Sequence, residues 1–306
     1  MKKFLIYVTL FTIPIVIILI GLEITVKTIP NSYSYKYDYI KLHGDKIQAL
    51  AIGHSQLYDG IMPEVFSVPS FNLCNSDQNY ADDYYLLQEL LPDMPNLKIV
   101  VLPIGYMNVT DVKFDNGLTE RSCYYHEYMG LGYDGHLPLG YRFECFMPYK
   151  ALNKVVSYYC FHEDIVGCDS LGRRTEHYLR YRKNLVGDER IIRGYTCHEH
   201  DVKNLCIKYE NYLKRTLNLL TAKGISVVMV SPPYYWNSER QRVNKEQVLF
   251  LDKYMAGLSA DYPIKYLDLE NDTTYSYDDF FDETHLSEKG AEKFTKAIDE
   301  FIFSGG

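Results

Sequence analysis

The chain has 306 residues, of which 47% are hydrophobic. This content is enough to bury a full core and argues against a disordered chain. Lys and Arg number 32 against 40 Asp and Glu, which gives a net charge of −8. No basic stripe is available to neutralise phosphates, so the composition excludes nucleic acid as an expected partner.

The seven cysteines form no CxxC pairs and lack the His and Cys spacing of zinc sites. We therefore predict no metal site and no other cofactor. Outside the cytoplasm some of these cysteines could form disulfides, with Cys160 and Cys168 the pair closest in sequence, and the odd number leaves at least one free. Small buried thiols are the alternative interpretation.

The first segment has the pattern of a membrane helix. Lys2 and Lys3 precede an uncharged, mostly apolar run from Phe4 to Leu22 that stops at Glu23, and a membrane span needs about 20 such residues. The two lysines favour a cytoplasmic N-terminus, which predicts that the rest of the chain lies on the extracytoplasmic side. We interpret residues 1–26 as an uncleaved anchor and 27–46 as a linker; a cleaved signal peptide is the alternative.

Short apolar runs and helical patterns alternate along the rest of the chain. Apolar residues at helical spacing occur before Pro92 and again from Leu205 to Leu220, before Gly224. The same spacing returns over 245–258 and after Ser287. This alternation predicts an α/β fold, a three-layer α/β/α sandwich around a mainly parallel five-stranded sheet. The predicted strands are 48–52, 70–73, 97–102, 225–230 and 264–269.

The stretch from about 109 to 201 lacks this alternation and is rich in Tyr, His, Cys and Gly. We interpret it as a long insertion after the third strand, inside a domain that spans 47–306. Insertions at the carboxyl edge of such sheets commonly shape the pocket, so substrate choice is expected to depend on this segment.

Ser55 is the first residue with a pattern typical of a nucleophile. The run Gly53-His54-Ser55 follows a predicted strand directly, and a short helix is predicted to begin at the serine. A helix N-terminus offers free N–H groups and a positive dipole, which stabilise an oxyanion beside it. The alternative is that Ser55 merely caps the helix.

A second pattern lies near the other end of the chain. Asp282 precedes His285 by three residues, and Ser287 can cap the helix that follows. Across such a turn the aspartate reaches one imidazole nitrogen and fixes the tautomer, which leaves the other nitrogen to accept a proton from a serine.

Together these two patterns resemble the SGNH/GDSL hydrolase family. The resemblance covers nearly all the chain after Ile47, and Asp-x-x-His-Leu-Ser is its most specific part. It implies a serine-hydrolase triad of Ser55, Asp282 and His285. The continuation Gly60-Ile61-Met62-Pro63 looks like that of membrane-anchored or exported bacterial members, which act on esters of cell-surface carbohydrate.

The same resemblance implies an oxyanion hole built from Ser55, Asp77 and Asn108, with two departures. Asp77 stands where family members have a glycine, and a carboxylate is an unfavourable neighbour for an oxyanion. Family members have Gly-x-Asn after the third strand. The corresponding run here is Ile104-Gly105-Tyr106-Met107-Asn108, so Asn108 stands one residue later than the family's asparagine. Its amide reaches the site after a local shift, or Tyr106 or a backbone group replaces it, or the hole is incomplete.

Candidate pocket residues lie at the same sheet edge. His54 and Tyr106 neighbour the candidate site residues, and Tyr234 and Tyr235 follow Ser231-Pro232-Pro233 after the fourth strand. Their aromatic faces could stack on a sugar ring; packing of these rings in the core is the alternative.

These patterns predict an extracytoplasmic serine esterase or O-acyltransferase that works through an acyl-enzyme. The expected partners are an acylated carbohydrate or another ester substrate, and the membrane through the N-terminal helix. The alternative is a catalytically impaired relative that binds or scaffolds a glycan or an assembly partner.

Overall fold

The computed structural model describes residues 1–163, 165–175, 204–235, 245–282 and 284–304. They form two compact units. The N-terminal unit consists of Met1–Asp38 and Leu118–Gly167, and the sheet unit consists of Tyr39–Gly117 and Cys168–Gly306. The predicted insertion at about 109–201 falls partly on residues 164 and 176–201, which lie outside the described residues.

The described helices and strands follow one another in this order along the chain. They are α1 (Lys2–Lys27), α2 (Ser32–His43), β1 (Ala49–Ala51), α3 (Ser55–Gly60), β2 (Ser70–Asn72), α4 (Tyr80–Leu90), β3 (Ile99–Pro103), β4 (Val109–Thr110), α5 (Ser122–Met129), α6 (Pro148–Tyr159), β5 (Cys206–Ile207), α7 (Glu210–Ala222), β6 (Ser226–Ser231), α8 (Lys245–Asp261), β7 (Ile264–Asp268) and α9 (Glu288–Phe303).

Five strands form one sheet in the order β2-β1-β3-β6-β7, and every neighbouring pair is parallel. The central strands are short apolar runs because both of their faces are buried. The predicted α/β class and parallel five-stranded sheet are therefore confirmed. A separate antiparallel pair joins β4 to β5.

Helices cover both faces of this sheet. Alternate residues such as Ala51, Val101 and Val228 point to one face, where they pack with residues of α3 and α9. The intervening residues Leu50 and Val100 are also fully buried, while α4 packs against α7 and α7 packs against β6. The result is the predicted three-layer arrangement.

One helix starts later than its sequence pattern predicts. Helical spacing begins at Leu205, but α7 begins at Glu210 because Tyr209 has a left-handed φ of 58°. The residues before it, Cys206 and Ile207, pair instead with Val109 and Thr110. Local apolar spacing alone did not reveal this short strand.

In the N-terminal unit, α1 has the length and the composition of a membrane span or of a signal sequence. Its last turns pack within the unit, where Val26 and Ile29 are buried with Ala151 of α6. Each of the six cysteines in the described part of the chain has a free thiol.

Candidate active site

Ser55 is presented at the carboxyl edge of the sheet by a tight turn after β1. Gly53 has a φ of +140°, and a Cβ atom there would lie 2.4 Å from the ring of Pro103. Only glycine fits both constraints. The turn delivers Ser55 to the first position of α3, where its backbone N–H has no acceptor within the helix.

Hydrogen bonds from side chains of β2, of α9 and of α3 itself fix the position of α3. Asn72 of β2 donates to the carbonyl of Ile61 at 3.1 Å, and Thr295 of α9 donates to that of Gly60 at 3.1 Å. The buried Gln56 donates to the carbonyl of Thr284 at 3.3 Å. This last bond ties the helix that carries Ser55 to the loop that carries His285.

The loop before α9 is a closed turn. The N–H of Phe281 donates to the carbonyl of His285 at 2.8 Å, and Phe280 forms a bridge with Leu286. Ser287 accepts a hydrogen bond from the N–H of Gly290 at 3.3 Å and so caps α9, as its position in the sequence predicts. The turn and the cap together hold the imidazole against α3.

Asp282, His285 and Ser55 form a continuous chain of hydrogen bonds. Nδ1 of His285 lies 2.8 Å from Oδ2 of Asp282, and Nε2 lies 2.9 Å from Oγ of Ser55. Since a carboxylate only accepts, the proton on His285 belongs on Nδ1, and Nε2 is left to accept from the serine. The structure thus brings together the three residues that the sequence analysis selected.

Asp282 is held as a carboxylate. Its Oδ1 accepts the N–H groups of Thr284 at 2.9 Å and of His285 at 2.8 Å. Burial alone raises the pKa of Asp282, but the hydrogen bond and positive charge of His285 and these two N–H groups lower it overall to about 2. Asp282 therefore carries its negative charge at any pH where the protein is expected to work.

Two charged residues beside His285 escaped the sequence analysis. Oδ2 of the buried Asp59 lies 3.8 Å from Nε2 of His285. Arg174 lies behind Asp59, with Nη1 3.4 Å from Oδ2 and Nη2 donating to Oγ of Ser76 at 2.8 Å. The spacing of four between Ser55 and Asp59 on α3 is a signal that could have found the aspartate, whereas no local pattern points to Arg174.

These charges set the protonation of His285. Burial alone lowers the pKa of His285, but the hydrogen bond and charge of Asp282 and the charge of Asp59 raise it above 6.5, while Arg174 opposes the increase. His54 behaves differently: burial and the charge of His285 lower the pKa of His54 to about 4. Of these two histidines, His285 is therefore the one whose protonated form the site favours.

The pH dependence of ester hydrolysis should reflect this arrangement. Because only neutral His285 can accept a proton, we expect kcat/KM to fall as the pH decreases through a pKa above 6.5. Arg174→Gln removes a positive charge that lowers this pKa, so the acid limb should move to higher pH. The measurement is the pH profile of p-nitrophenyl acetate hydrolysis.

Arg174→Lys is the matched control, since it keeps the charge and should move the acid limb less than Arg174→Gln. Profiles with the same acid limb in the wild type and Arg174→Gln would show that Arg174 does not act on His285.

The loop that carries Asp77 contacts the loop that carries Ser55. The N–H of Asn75 donates to the carbonyl of Gly53 at 3.1 Å. Asp77 has a left-handed φ of 55°, a conformation that glycine adopts most easily. Its side chain is exposed. The backbone therefore keeps the shape that a glycine would have there, and the assignment of Asp77 to an oxyanion hole stays a prediction.

Asn108 closes its own turn. Its Oδ1 accepts the N–H of Gly105 at 3.0 Å, and its N–H donates to the carbonyl of Gly105 at 2.9 Å. The N–H of Gly105 is therefore occupied. The role of Asn108 in binding an oxyanion stays a prediction.

The predicted pocket residues have different environments. His54 precedes Ser55 at the start of α3 and is half-buried. Tyr234 is buried, and the ring of Tyr235 packs edge-on against Phe280 at 5.6 Å, which fits the packing interpretation. The side chain of Tyr106 lies outside the described part of the chain.

Among the described residues, no group of three or more His, Cys, Asp or Glu side chains could hold a metal ion.

Comparison with known proteins gave matches among solved structures. No family model matches the chain, and no curated protein matches it. One similar structure is described as a candidate lipolytic protein of the G-D-S-L family from Desulfitobacterium hafniense DCB-2, with 11% identity over 83% of this chain and 98% of that chain, and a TM-score of 0.39. Another is described as a candidate platelet activating factor from Streptococcus pneumonia, with 13% identity over 96% of this chain and 99% of that chain, and a TM-score of 0.43. The solved structures similar to this chain thus include a protein described under the GDSL family name, the family that the sequence motifs resemble.

Proposed function

We propose that the protein is a serine esterase or O-acyltransferase with Ser55 as nucleophile. The observation that supports this most directly is the 2.9 Å hydrogen bond between Oγ of Ser55 and Nε2 of His285. Bound in this way, the serine can lose its proton as its oxygen attacks a carbonyl carbon. Asp282 stabilises the imidazolium that forms.

The reaction has two halves. Oγ of Ser55 bonds to the acyl carbon and its proton moves to Nε2 of His285; the bond to the leaving oxygen then breaks, and that oxygen takes the proton. Water, or the hydroxyl of an acceptor, next gives a proton to Nε2 and attacks the acyl-enzyme. Ser55 leaves and regains its proton. Esterase and transferase differ only in this second nucleophile.

The developing oxyanion needs donors near Ser55. The backbone N–H groups of Ser55 and Asp77 and the amide of Asn108 are the candidates. Loss of one such donor typically costs about 10²- to 10³-fold in rate. The rate is therefore expected to be sensitive to the geometry of the loops after β2 and β3.

The substrate that we infer is an acyl ester on cell-surface carbohydrate, with the site on the extracytoplasmic side. The support is the apolar α1 and the lysines before its apolar run. A domain tethered to a membrane can reach surface polymers repeatedly without diffusing away.

A second candidate is a binding or scaffolding protein that kept the fold without efficient catalysis. It is favoured by Asp77, a carboxylate in the loop that would supply an oxyanion donor, because a negative charge is an unfavourable neighbour for an oxyanion. In that protein Ser55 would still contact His285, but no oxyanion would be stabilised well enough for turnover.

A fluorophosphonate probe separates these candidates. The wild type should be labelled, Ser55→Ala should not, and Ser226→Ala, which removes an exposed hydroxyl at the start of β6, should be labelled like the wild type. Absence of labelling in folded wild-type protein would contradict the enzyme and favour the binding protein. Adding a sugar acceptor to p-nitrophenyl acetate then distinguishes transfer from hydrolysis by the acylated product.

A further inference from the structure

The N-terminal unit exposes an unusual number of large apolar side chains. Of the eleven such exposed side chains that follow Lys27 in the described residues, seven lie between Leu139 and Phe161. One of these, Tyr159, hydrogen bonds with Thr28 at 2.9 Å. The other six form what we call the aromatic surface: Leu139, Phe143, Phe146, Tyr149, Leu152 and Phe161.

The end of α1 is fixed to the segment that carries the aromatic surface. Val26, Ile29 and Ala151 of α6 are each at most 3% exposed and form one apolar cluster. Oε2 of Glu23 accepts the N–H of Cys145 at 2.9 Å. The apolar cluster is buried and the hydrogen bond is directional, so the end of α1 and the segment around α6 pack together.

If α1 crosses a bilayer, its length determines how deep the contact between Glu23 and Cys145 lies relative to the hydrocarbon core. The uncharged run from Phe4 to Leu22 rises about 28 Å as an α-helix, close to the roughly 30 Å of a hydrocarbon core. Glu23 therefore lies where the core ends. Cys145 touches Glu23, so its neighbours Phe143 and Phe146 lie at the same level.

The lysines of α6 have partners within the unit. Nζ of Lys154 lies 2.6 Å from Glu144, and Nζ of Lys150 lies 3.1 Å from Glu120. These pairs lower the cost of bringing α6 close to apolar material. Helices that lie at a membrane surface bury Phe and Leu side chains at the boundary between the lipid headgroups and the acyl chains.

We propose that the aromatic surface lies in the headgroup region of the bilayer that α1 crosses. The N-terminal unit is then held on the membrane by two contacts, a spanning helix and an interfacial one. A single span followed by a flexible tether would let the unit tumble, whereas a second contact fixes its orientation. It also follows that α1 stays attached, because cleavage near its end would expose Val26, Ile29 and Ala151. The proposal is independent of the chemistry proposed for Ser55.

Tryptophan fluorescence in lipid nanodiscs tests this proposal on the full chain. Trp236 is the sole tryptophan of the sequence, so Trp236→Phe gives a background for single probes. Phe146→Trp and Leu152→Trp report on the aromatic surface, and Phe11→Trp reports on the middle of α1. Leu249→Trp replaces a residue that is 67% exposed on α8 and serves as the control.

Discs of phosphatidylcholine and phosphatidylglycerol are compared with and without bromine on the acyl chains. We expect brominated lipid to quench the probes at 11, 146 and 152 and to leave the probe at 249 unchanged. If both surface probes keep the intensity of the control while the probe at 11 is quenched, the aromatic surface does not contact lipid, and a protein partner would have to cover it. If the probe at 11 is not quenched, α1 does not cross the bilayer and the proposal is wrong.

Discussion

Replacing His285 with alanine is expected to lower kcat for ester hydrolysis by about 10⁴-fold or more. Nε2 of His285 is the group 2.9 Å from Oγ of Ser55, so without it the serine keeps its proton during attack. His54 is a poor substitute, since its burial lowers its pKa and makes it a weaker base than an ordinary histidine. The measurement is steady-state hydrolysis of p-nitrophenyl acetate.

The exposed His136 offers a matched control, and His136→Ala should retain the wild-type rate. The double variant Ser55→Ala with His285→Ala should be no slower than either single variant, because the two side chains act as one unit. Losses that multiply in the double variant would contradict the shared role.

Asp282→Asn is expected to lower kcat by about 10⁴-fold while leaving the fold intact. Its amide can keep an oxygen on the N–H groups of Thr284 and His285, but the NH₂ group would then face Nδ1 of His285. That contact moves the imidazole proton to Nε2, which can no longer accept a proton from Ser55. Steady-state kinetics measure the fall in kcat, and a thermal melt of the same protein shows whether the fold is intact.

The same substitution at an exposed aspartate provides the comparison for this prediction. Asp278 lies four residues before Asp282 and its side chain is exposed, so Asp278→Asn should change neither rate nor stability. An Asp282→Asn protein with the wild-type rate would show that the carboxylate does not set the tautomer of His285.

Most of the sheet unit could be predicted from local pattern. Strands buried on both faces read as continuous apolar runs, and β3 and β6 are of this kind. Stop signals such as Gly224 and caps such as Ser287 placed the ends of helices. The two-residue strands β4 and β5 could not be predicted, because their pairing joins residues about a hundred positions apart.

The three residues of the hydrogen-bonded chain were accessible to sequence reasoning because each belongs to a short local motif. Ser55 follows a strand and opens a helix, and Asp282 and His285 are three residues apart before a cap. Arg174 carries no such motif. It reaches Asp59 and Ser76 only through the folding of the chain, so only the structure could identify it.

The aromatic surface could not be predicted from the sequence, for a different reason. The sequence predicts only an insertion over about 109–201, with no helix assigned there, and it does not distinguish an apolar residue in a core from one that faces outward. Ala151 is buried whereas its neighbour Leu152 is 52% exposed. The proposal that these residues lie in a headgroup region depends on the contact between Glu23 and Cys145, which no sequence pattern predicts.

Ser55 and His285 are separated by 230 residues along the chain, and this spacing has a consequence for biosynthesis. A ribosome must add all of those residues before the serine can acquire its base. Throughout that time Ser55 is an ordinary alcohol, so on the proposed mechanism a nascent chain cannot acylate itself or damage esters nearby. A product truncated anywhere before Asp282 would be chemically inert as well.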